Sequence, residues 1–218
     1  MAMTHDHKQE LGVNVIAAIR VANAKFQVRR YANEQIKTQD NMMFQSTEPT
    51  PIDGAHIHNA GLVLLWPFLR ELFQRIGYTN DEGFISDVHR NRAMCLIEFL
   101  ATELNQPQDI DMSLNKILCG ARPEEPVISD LTITEDEIST VNSLLESVIS
   151  HWPVLGNTSI DGLRESFLIR SGKLSFSQQS YNLTVEKAAC DVLLDHLPWG
   201  IGLIKLSWMD KSLFVKWR

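Results

Sequence analysis

Two histidines two positions apart, His56 and His58, come closest to the spacing of a metal site. On a β-strand, alternate side chains point to the same face, so the two imidazoles would lie side by side as ligands. A zinc site needs a third or fourth ligand, and no cysteine or further histidine follows at a ligand-like spacing. The pattern therefore favours a polar linker, and we expect no bound metal.

Other residues with catalytic potential are not arranged for catalysis. Asp195 and His196 are adjacent, and adjacent side chains on a helix do not face each other, so a histidine stabilised by a helix end is the better interpretation. Gly200 and Gly202 lack the third glycine of a dinucleotide site, which favours close strand packing over phosphate binding. No serine or cysteine lies in a glycine-rich nucleophile turn. These residue patterns predict no catalytic residue and no cofactor.

The composition is that of an ordinary globular protein. The chain has 218 residues, of which 44% are hydrophobic and 22% charged, and its net charge is -7. An acidic chain without clustered lysine and arginine is unlike a nucleic-acid-binding protein, and the longest apolar stretch, residues 61–69, is too short to span a membrane. The three cysteines lie singly in apolar patterns, which favours reduced thiols and a cytoplasmic setting. We expect neither nucleic acid nor a membrane span.

The C-terminal segment, residues 197–218, holds three of the five tryptophans. Chain ends are usually polar and frayed, so an apolar end has to be held in place by something. Two alternatives stay open, core strands or a surface that docks onto another protein, because tryptophan is enriched in both settings. The candidate protein-interaction residues are Trp66, Phe68, Trp199, Trp208 and Trp217.

Apolar residues recur at helical spacing through most of the chain after residue 59. The clearest helix start is at Thr134, because Thr134 and Glu137 have the spacing of a capping box. The predicted helices are residues 61–76 with a kink or restart at Pro67 and a C-cap at Gly77, residues 87–103 capped by Ser86 or Asp87, a short helix that opens at Asp111 or Ser113 and closes at Gly120, residues 134–152, residues 159–169 ended by Gly172, and residues 186–194.

Alternating apolar residues predict a β-hairpin from residues 174–176 and 181–185 about a turn at residues 178–180. Residues 201–206 and 213–217 have the pattern of two further short strands. The predicted fold class is mainly α with a small antiparallel β element near the C-terminus, that is, α+β. Residues 1–55 are expected to form a partly helical or flexible arm, with one imperfect helix over 13–35 and a linker at 46–51, and residues 56–218 a compact, mostly helical domain.

Several blocks of uncommon residues occur in the order found in a known family. The blocks are 59–69 (NAGLVLLWPFL), 114–120 (LNKILCG), 151–152 (HW) with 155–159 (LGNTS), 162–167 (GLRESF), 197–200 (LPWG) and 204–209 (IKLSWM). Over about residues 57–217 they resemble the C-terminal region of the tape measure proteins of contractile injection systems, which are phage-tail-like particles. Ordered blocks of this kind are far more specific than a single short motif.

The resemblance implies a structural and assembly protein that is not an enzyme. It implies anchoring at the baseplate or inner-tube end of the particle, with baseplate, spike or inner-tube proteins as partners and a trimer or hexamer in the assembly. The implied location is the cytoplasm during assembly and then the particle. A fully helical arm before residue 57 would extend only on the order of 80 Å, so we expect either a trimmed ruler or a short relative that lacks the measuring segment.

A second interpretation is a soluble assembly chaperone or adaptor that holds tube or effector subunits before they are loaded. The acidic net charge of -7 suits a protein that binds basic partners. A constituent would be present in intact particles at a fixed copy number, whereas a chaperone would be missing from them.

Overall fold

A computed structural model of the chain describes residues 54–104, 112–128 and 132–217. The predicted arm, with its helix over 13–35 and its linker over 46–51, lies outside these residues. The division of the chain at residue 55 therefore stays a prediction. The described chain is already part of the sheet at Ala55, whose carbonyl accepts a hydrogen bond from Leu174 N at 2.8 Å.

The helices lie mostly in the first two thirds of the described chain. A 3₁₀-helix over Ala60–Leu65 leads directly into the first α-helix. The α-helices are α1 (Trp66–Ile76), α2 (Asp87–Thr102), α3 (Ser113–Leu118), α4 (Glu135–His151) and α5 (Ile160–Leu163), and α5 continues as a π-helix over Arg164–Leu168. Two more 3₁₀-helices cover Pro153–Leu155 and Ala189–His196. Among the described residues, no helix is both long enough and apolar enough to cross a membrane.

The helix boundaries follow the local signals in the sequence. Pro67 lies in the first turn of α1, so it starts a new helix after the 3₁₀ turn and does not kink a continuous one. Gly77 ends α1 with φ of 83°, the left-handed conformation that glycine adopts without strain. Thr134 accepts a hydrogen bond from Glu137 N, and Glu137 returns one to Thr134 N, which confirms the predicted capping box of α4.

The helix predicted over residues 159–169 differs from the structure. Residues 159–169 were expected to form a single helix ended by Gly172, but the four residues of α5 give way to the π-helix, which ends at Leu168. Gly172 is instead the first residue of a strand. A Cβ at Gly172 would lie 2.9 Å from the Ala60 Cβ, so this glycine permits close packing and does not cap a helix.

The strands form one five-stranded sheet and one small hairpin. The sheet contains β1 (His56–Ile57), β4 (Gly172–Phe176), β5 (Ser180–Val185), β6 (Leu203–Ile204) and β7 (Ser212–Lys216), and the hairpin pairs β2 (Thr79–Asn80) with β3 (Gly83–Phe84). The order in the sheet is β1-β4-β5-β7-β6. The predicted hairpin is confirmed as β4 and β5, which pair antiparallel.

The α+β class is confirmed, and the sheet is mixed. Its β1–β4, β4–β5 and β6–β7 pairs are antiparallel, whereas β7 runs parallel to β5. The parallel pair arises because the chain crosses through residues 186–211 before it returns to the sheet, and parallel neighbours need such a crossover. The expected strand over 201–206 is shorter, at two residues, and the expected helix over 186–194 is the 3₁₀-helix Ala189–His196.

The core lies between the inner face of the sheet and the helices. Alternation along each strand places one set of side chains inside, because successive side chains in a strand point to opposite faces. The inward-facing residues with almost no exposed surface include Ile57, Leu174, Leu183, Ile204 and Leu213. Leu62, Leu65, Phe73, Leu96, Leu100 and Trp152 supply much of the helical side of the same core.

Glycine has a packing role at positions other than those that the sequence suggested. Close strand packing was expected at Gly200 and Gly202, but nothing lies within 4 Å of a Cβ built at either residue, so that interpretation is wrong. At Gly61 a Cβ would lie 1.8 Å from the carbonyl oxygen of Phe167. The 3₁₀-helix therefore packs backbone to backbone against the π-helix at Gly61.

The substitution Gly61→Ala should lower the unfolding free energy by about 3 kcal/mol or more, because the added methyl meets backbone atoms that have to move. Gly200→Ala is the matched control and should change it by less than about 0.5 kcal/mol. Urea unfolding of both variants measures the difference. Equal stabilities would show that the backbone contact at Gly61 is not tight.

Candidate protein-interaction surface

The C-terminal segment is held against the rest of the domain by indole hydrogen bonds. Trp199 Nε1 donates to the carbonyl of Leu64 at 2.9 Å, and Trp208 Nε1 donates to that of Leu118 at 2.8 Å. Both partners are more than 80 residues away in sequence. A buried indole N–H needs an acceptor, so these bonds fix where each ring lies.

Trp66 and Trp199 form a reciprocal pair of contacts between two distant segments. Trp66 Nε1 donates to the carbonyl of Gly200 at 2.8 Å, while Trp199 donates to Leu64, two residues before Trp66. Each indole is therefore bonded to the backbone beside the other tryptophan. The carbonyl of Gly200 thereby contacts the first turn of α1.

Phe68 extends this contact on α1. Its ring packs edge to face against Trp199, with centroids 5.1 Å apart, and against His151 at 6.1 Å. Trp66, Phe68 and Trp199 are each half-buried, so part of each ring faces solvent while the rest is fixed by the protein. We call the surface formed by these three residues the aromatic seam.

A groove between α1 and α4 lies beside the aromatic seam. It is lined by Phe68, Glu71, Leu72, Arg75, Thr140, Ser143, Leu144 and Ser147. The hydroxyls of Thr140, Ser143 and Ser147 each donate to the carbonyl four residues earlier, which satisfies their donors within α4. Phe68 thus links an aromatic surface to a mixed polar and apolar groove.

Trp208 and Trp217 are placed differently from the three residues of the seam. Trp208 is half-buried and packs on Phe73 and Phe84, with centroids 5.8 and 5.1 Å away. At Gly120, which has φ of 71°, a Cβ would lie 2.3 Å from the carbonyl oxygen of Trp208. Trp217 is only 4% exposed. These two rings mainly join the C-terminus to the core.

The Trp217 ring lies under a buried ion pair. Arg170 is 5.9 Å from the Trp217 ring centroid, at the distance of a cation–π contact, and its Nη1 is 3.1 Å from Asp191 Oδ1. Arg170 also donates to the carbonyl of Ser166 and to Cys190 Sγ. The last described residue is therefore tied to the π-helix and to the 3₁₀-helix after β5.

The histidine pair predicted as a possible ligand set is divided between two environments. His56 is exposed on β1, whereas His58 donates from Nε2 to Glu98 Oε1 at 2.8 Å. Because β1 belongs to the sheet, the interpretation of His56 and His58 as a polar linker is wrong. Within residues 54–104, 112–128 and 132–217, no group of three or more His, Cys, Asp and Glu side chains is placed to hold a metal ion.

Glu98 is the centre of a buried polar network that the sequence analysis missed. It is 0% exposed, and its Oε2 accepts from Asn59 Nδ2 at 2.6 Å and from Asn115 Nδ2 at 3.0 Å. Burial alone would raise the pKa of Glu98, but the hydrogen bonds from His58, Asn115 and Asn59 hold that pKa below its ordinary value. Neither His58 nor Glu98 lines the groove beside the seam. The arrangement ties β1 and α3 to α2.

A second polar network joins α2 and the hairpin to the start of α4. Arg92 Nη2 lies 2.6 and 2.8 Å from the two carboxylate oxygens of Glu137, and Tyr78 also donates to Glu137. Burial would raise the pKa of Glu137, yet the Thr134 N–H, Tyr78 and Arg92 hold it below its ordinary value. The capping residue of α4 is thereby tied to two other elements. The spacing of Thr134 and Glu137 gave no sign of this second role.

Asp195 and His196 are exposed at the end of the 3₁₀-helix Ala189–His196. Cys95 and Cys119 are buried and free, and burial raises the pKa of the Cys95 thiol to about 11 and that of Cys119 well above its ordinary value. Cys190 is also free. The predicted isolated thiols are confirmed.

One comparison with known proteins identifies a family. The sequence model described as "Contractile injection system tape measure protein" matches residues 5–217. The match extends beyond the blocks over residues 57–217 into the N-terminal part of the chain. No curated protein and no solved structure matches the chain.

The substitution Trp199→Phe should lower the unfolding free energy by about 1 kcal/mol, because it removes the hydrogen bond to Leu64 and retains most of the ring packing. Trp66→Phe should have a similar effect, and the double variant should cost less than the sum because both bonds hold the same contact. Chemical unfolding of the single and double variants measures the coupling. If the loss of unfolding free energy in the double variant equals the sum of the two single losses, the two hydrogen bonds do not hold the same contact.

The substitution Glu98→Gln should lower the unfolding free energy by about 2–4 kcal/mol at pH 7, because one amide donor then faces the donors of His58, Asn59 and Asn115. Because the pKa of Glu98 is lowered by folding, its stabilising effect is complete above the ordinary value of 4.5 and is lost as the pH falls below it. The urea concentration at the midpoint of unfolding should therefore fall less steeply from pH 7 to pH 3 in the variant than in the wild type. Glu146→Gln, at an exposed site on α4, is the control and should retain the wild-type slope.

Proposed function

The chain belongs to the contractile injection system tape measure protein family, and from that premise we propose that it anchors at the baseplate or inner-tube end of the particle. It is a structural component of such a system, related to tape measure proteins. The anchoring role rests on the aromatic seam together with the family. Its partners are baseplate, spike or inner-tube proteins.

The seam has the properties of a preformed binding site. The Trp66 and Trp199 rings are held by hydrogen bonds to Gly200 and Leu64, so little side-chain entropy remains to be lost when a partner covers them. Partly exposed aromatic rings that are fixed in this way are the type of residue that dominates protein–protein binding energies. Phe68 joins them to a groove in which a partner side chain can lie.

In this proposal, three of the five predicted interaction residues contact the partner and two support them from the interior. Trp66, Phe68 and Trp199 supply the docking surface, because part of each ring is accessible. Trp208 and Trp217 support it from inside by holding the C-terminal segment against Leu118, Phe73 and Arg170. We further propose that the chain has no enzymatic activity and assembles in the cytoplasm before it enters the particle, as a trimer or hexamer on the particle axis.

A pull-down with purified inner-tube and baseplate subunits tests the anchoring role. The full chain should be retained by one of them, and Phe68→Ser should weaken retention about tenfold or more, because Phe68 contributes exposed ring surface. Val192→Ser, which replaces a 65% exposed side chain outside the seam, is the matched control and should bind like the wild type. Circular dichroism verifies that both variants are folded.

The composition of intact particles distinguishes anchoring from chaperoning. A structural component should be present in purified particles at a fixed copy number, measured by quantitative mass spectrometry. Retention in the pull-down with absence from particles would favour the assembly chaperone or adaptor. Loss of retention for Val192→Ser as well as Phe68→Ser, or no retention at all, would contradict docking through the seam.

A further inference from the structure

The outer face of the five-stranded sheet is a second surface, separate from the aromatic seam. Cross-strand pairing places His56, Lys173, Thr184 and Lys216 in one row, and Ser175, Asn182, Phe214 and Leu203 in the next. Partners in such a row lie on the same face of the sheet. The alternate residues on these strands are buried or partly buried against the core, so both rows face away from the core.

This outer face differs in charge from the rest of the molecule. The chain has a net charge of -7, yet the five strands contain lysines at positions 173 and 216 and no aspartate or glutamate. Leu203 and Phe214 are directly opposite each other on β6 and β7 and are 54% and 48% exposed. A basic face with an exposed apolar pair is a surface that suits a partner with acidic and apolar groups together.

Such a combination occurs elsewhere on the same chain, at residues 81–88. This segment runs from the turn of the β2–β3 hairpin into the first turn of α2. Asp81, Glu82 and Asp87 are exposed. Ile85, which lies between Glu82 and Asp87, is 52% exposed, and Val88, which follows Asp87, is 66% exposed. Two of the most exposed large apolar side chains in the described chain thus lie close in sequence to exposed carboxylates.

We propose that residues 81–88 of one copy bind the outer sheet face of a second copy. Asp81 and Glu82 face Lys216 of the sheet, and Ile85 and Val88 cover Leu203 and Phe214. A contact between two sheet faces is disfavoured, because it would bring Lys216 of one copy towards the same basic surface of the other. The contact therefore joins two different surfaces, and a contact of that kind generates a ring when its rotation closes.

The inference rests on the proposed function for its setting, since a ring on the particle axis requires a directional contact between identical chains. The aromatic seam stays outside this contact and remains accessible to baseplate or tube proteins. The two surfaces therefore allow a ring to form and to dock at the same time. Each can be removed by substitutions that leave the other intact.

Sedimentation of the full chain across a concentration series tests the contact. We expect self-association that weakens as salt increases, because opposite charges lie across the interface. Phe214→Ser and Lys216→Glu should each raise the dissociation constant about tenfold or more, and so should Glu82→Lys. Lys187→Glu, with the same charge change at an exposed position after β5, is the control and should associate like the wild type.

The charge-swapped double variant Glu82→Lys with Lys216→Glu gives the sharpest outcome. It should recover most of the association that each single variant loses, because the opposite charges are restored in exchanged positions. A chain that stays monomeric at concentrations on the order of 0.1 mM, or one that associates equally in all variants, would overturn the inference. If self-association fails but tube or baseplate subunits still retain the chain, the proposed function stands and only the contact between copies is wrong. If the chain self-associates but is not retained, the contact stands and the proposed anchoring is wrong.

Discussion

The docking of the C-terminal segment onto α1 and the core is the interaction on which the rest of the domain depends. Residues 197–217 contribute two strands of the sheet, with β7 placed between β5 and β6. They also supply the indoles that bond to Leu64 and Leu118, while Trp66 bonds back to Gly200. The end of the chain therefore joins the sheet and the helices around one core.

Two buried carboxylates are tolerated in this core because each of them has several hydrogen-bond donors. Glu98 accepts from three side chains, and Glu137 accepts from Arg92, Tyr78 and the Thr134 N–H. Removing a partner from such a group costs more than the net gain from forming the contact. The networks therefore specify how elements distant in sequence meet, in addition to their effect on stability.

The two candidate interaction surfaces differ in how their apolar side chains are held. In the aromatic seam, Trp66, Phe68 and Trp199 are already fixed by contacts within the chain. On the outer sheet face, Leu203 and Phe214 lie opposite each other on β6 and β7 and are largely exposed. The proposed docking and the proposed contact between copies therefore use separate surfaces of the domain.

The sequence by itself determined the features that depend on near neighbours. Helix α4 with its capping box, the Gly77 end of α1 and the β4–β5 hairpin were predictable, because capping, left-handed glycine and alternation act within a few residues. The ordered blocks of residues likewise indicated the family that the comparison identified. The π-helix after α5 was not predictable, since it forms where Gly61 meets Phe167 and where buried Arg164 donates to the carbonyl of Leu100.

Only the tertiary structure decided which tryptophans face outward and which polar groups meet. Trp199 and Trp217 have similar local sequence signals, yet one is half-exposed and the other buried beneath Arg170. His58, Glu98 and Asn115 come together across 40 and 17 residues, and β7 joins β5 in parallel after a long crossover. Such contacts depend on how separate elements pack, and spacing along a single chain does not encode that information locally.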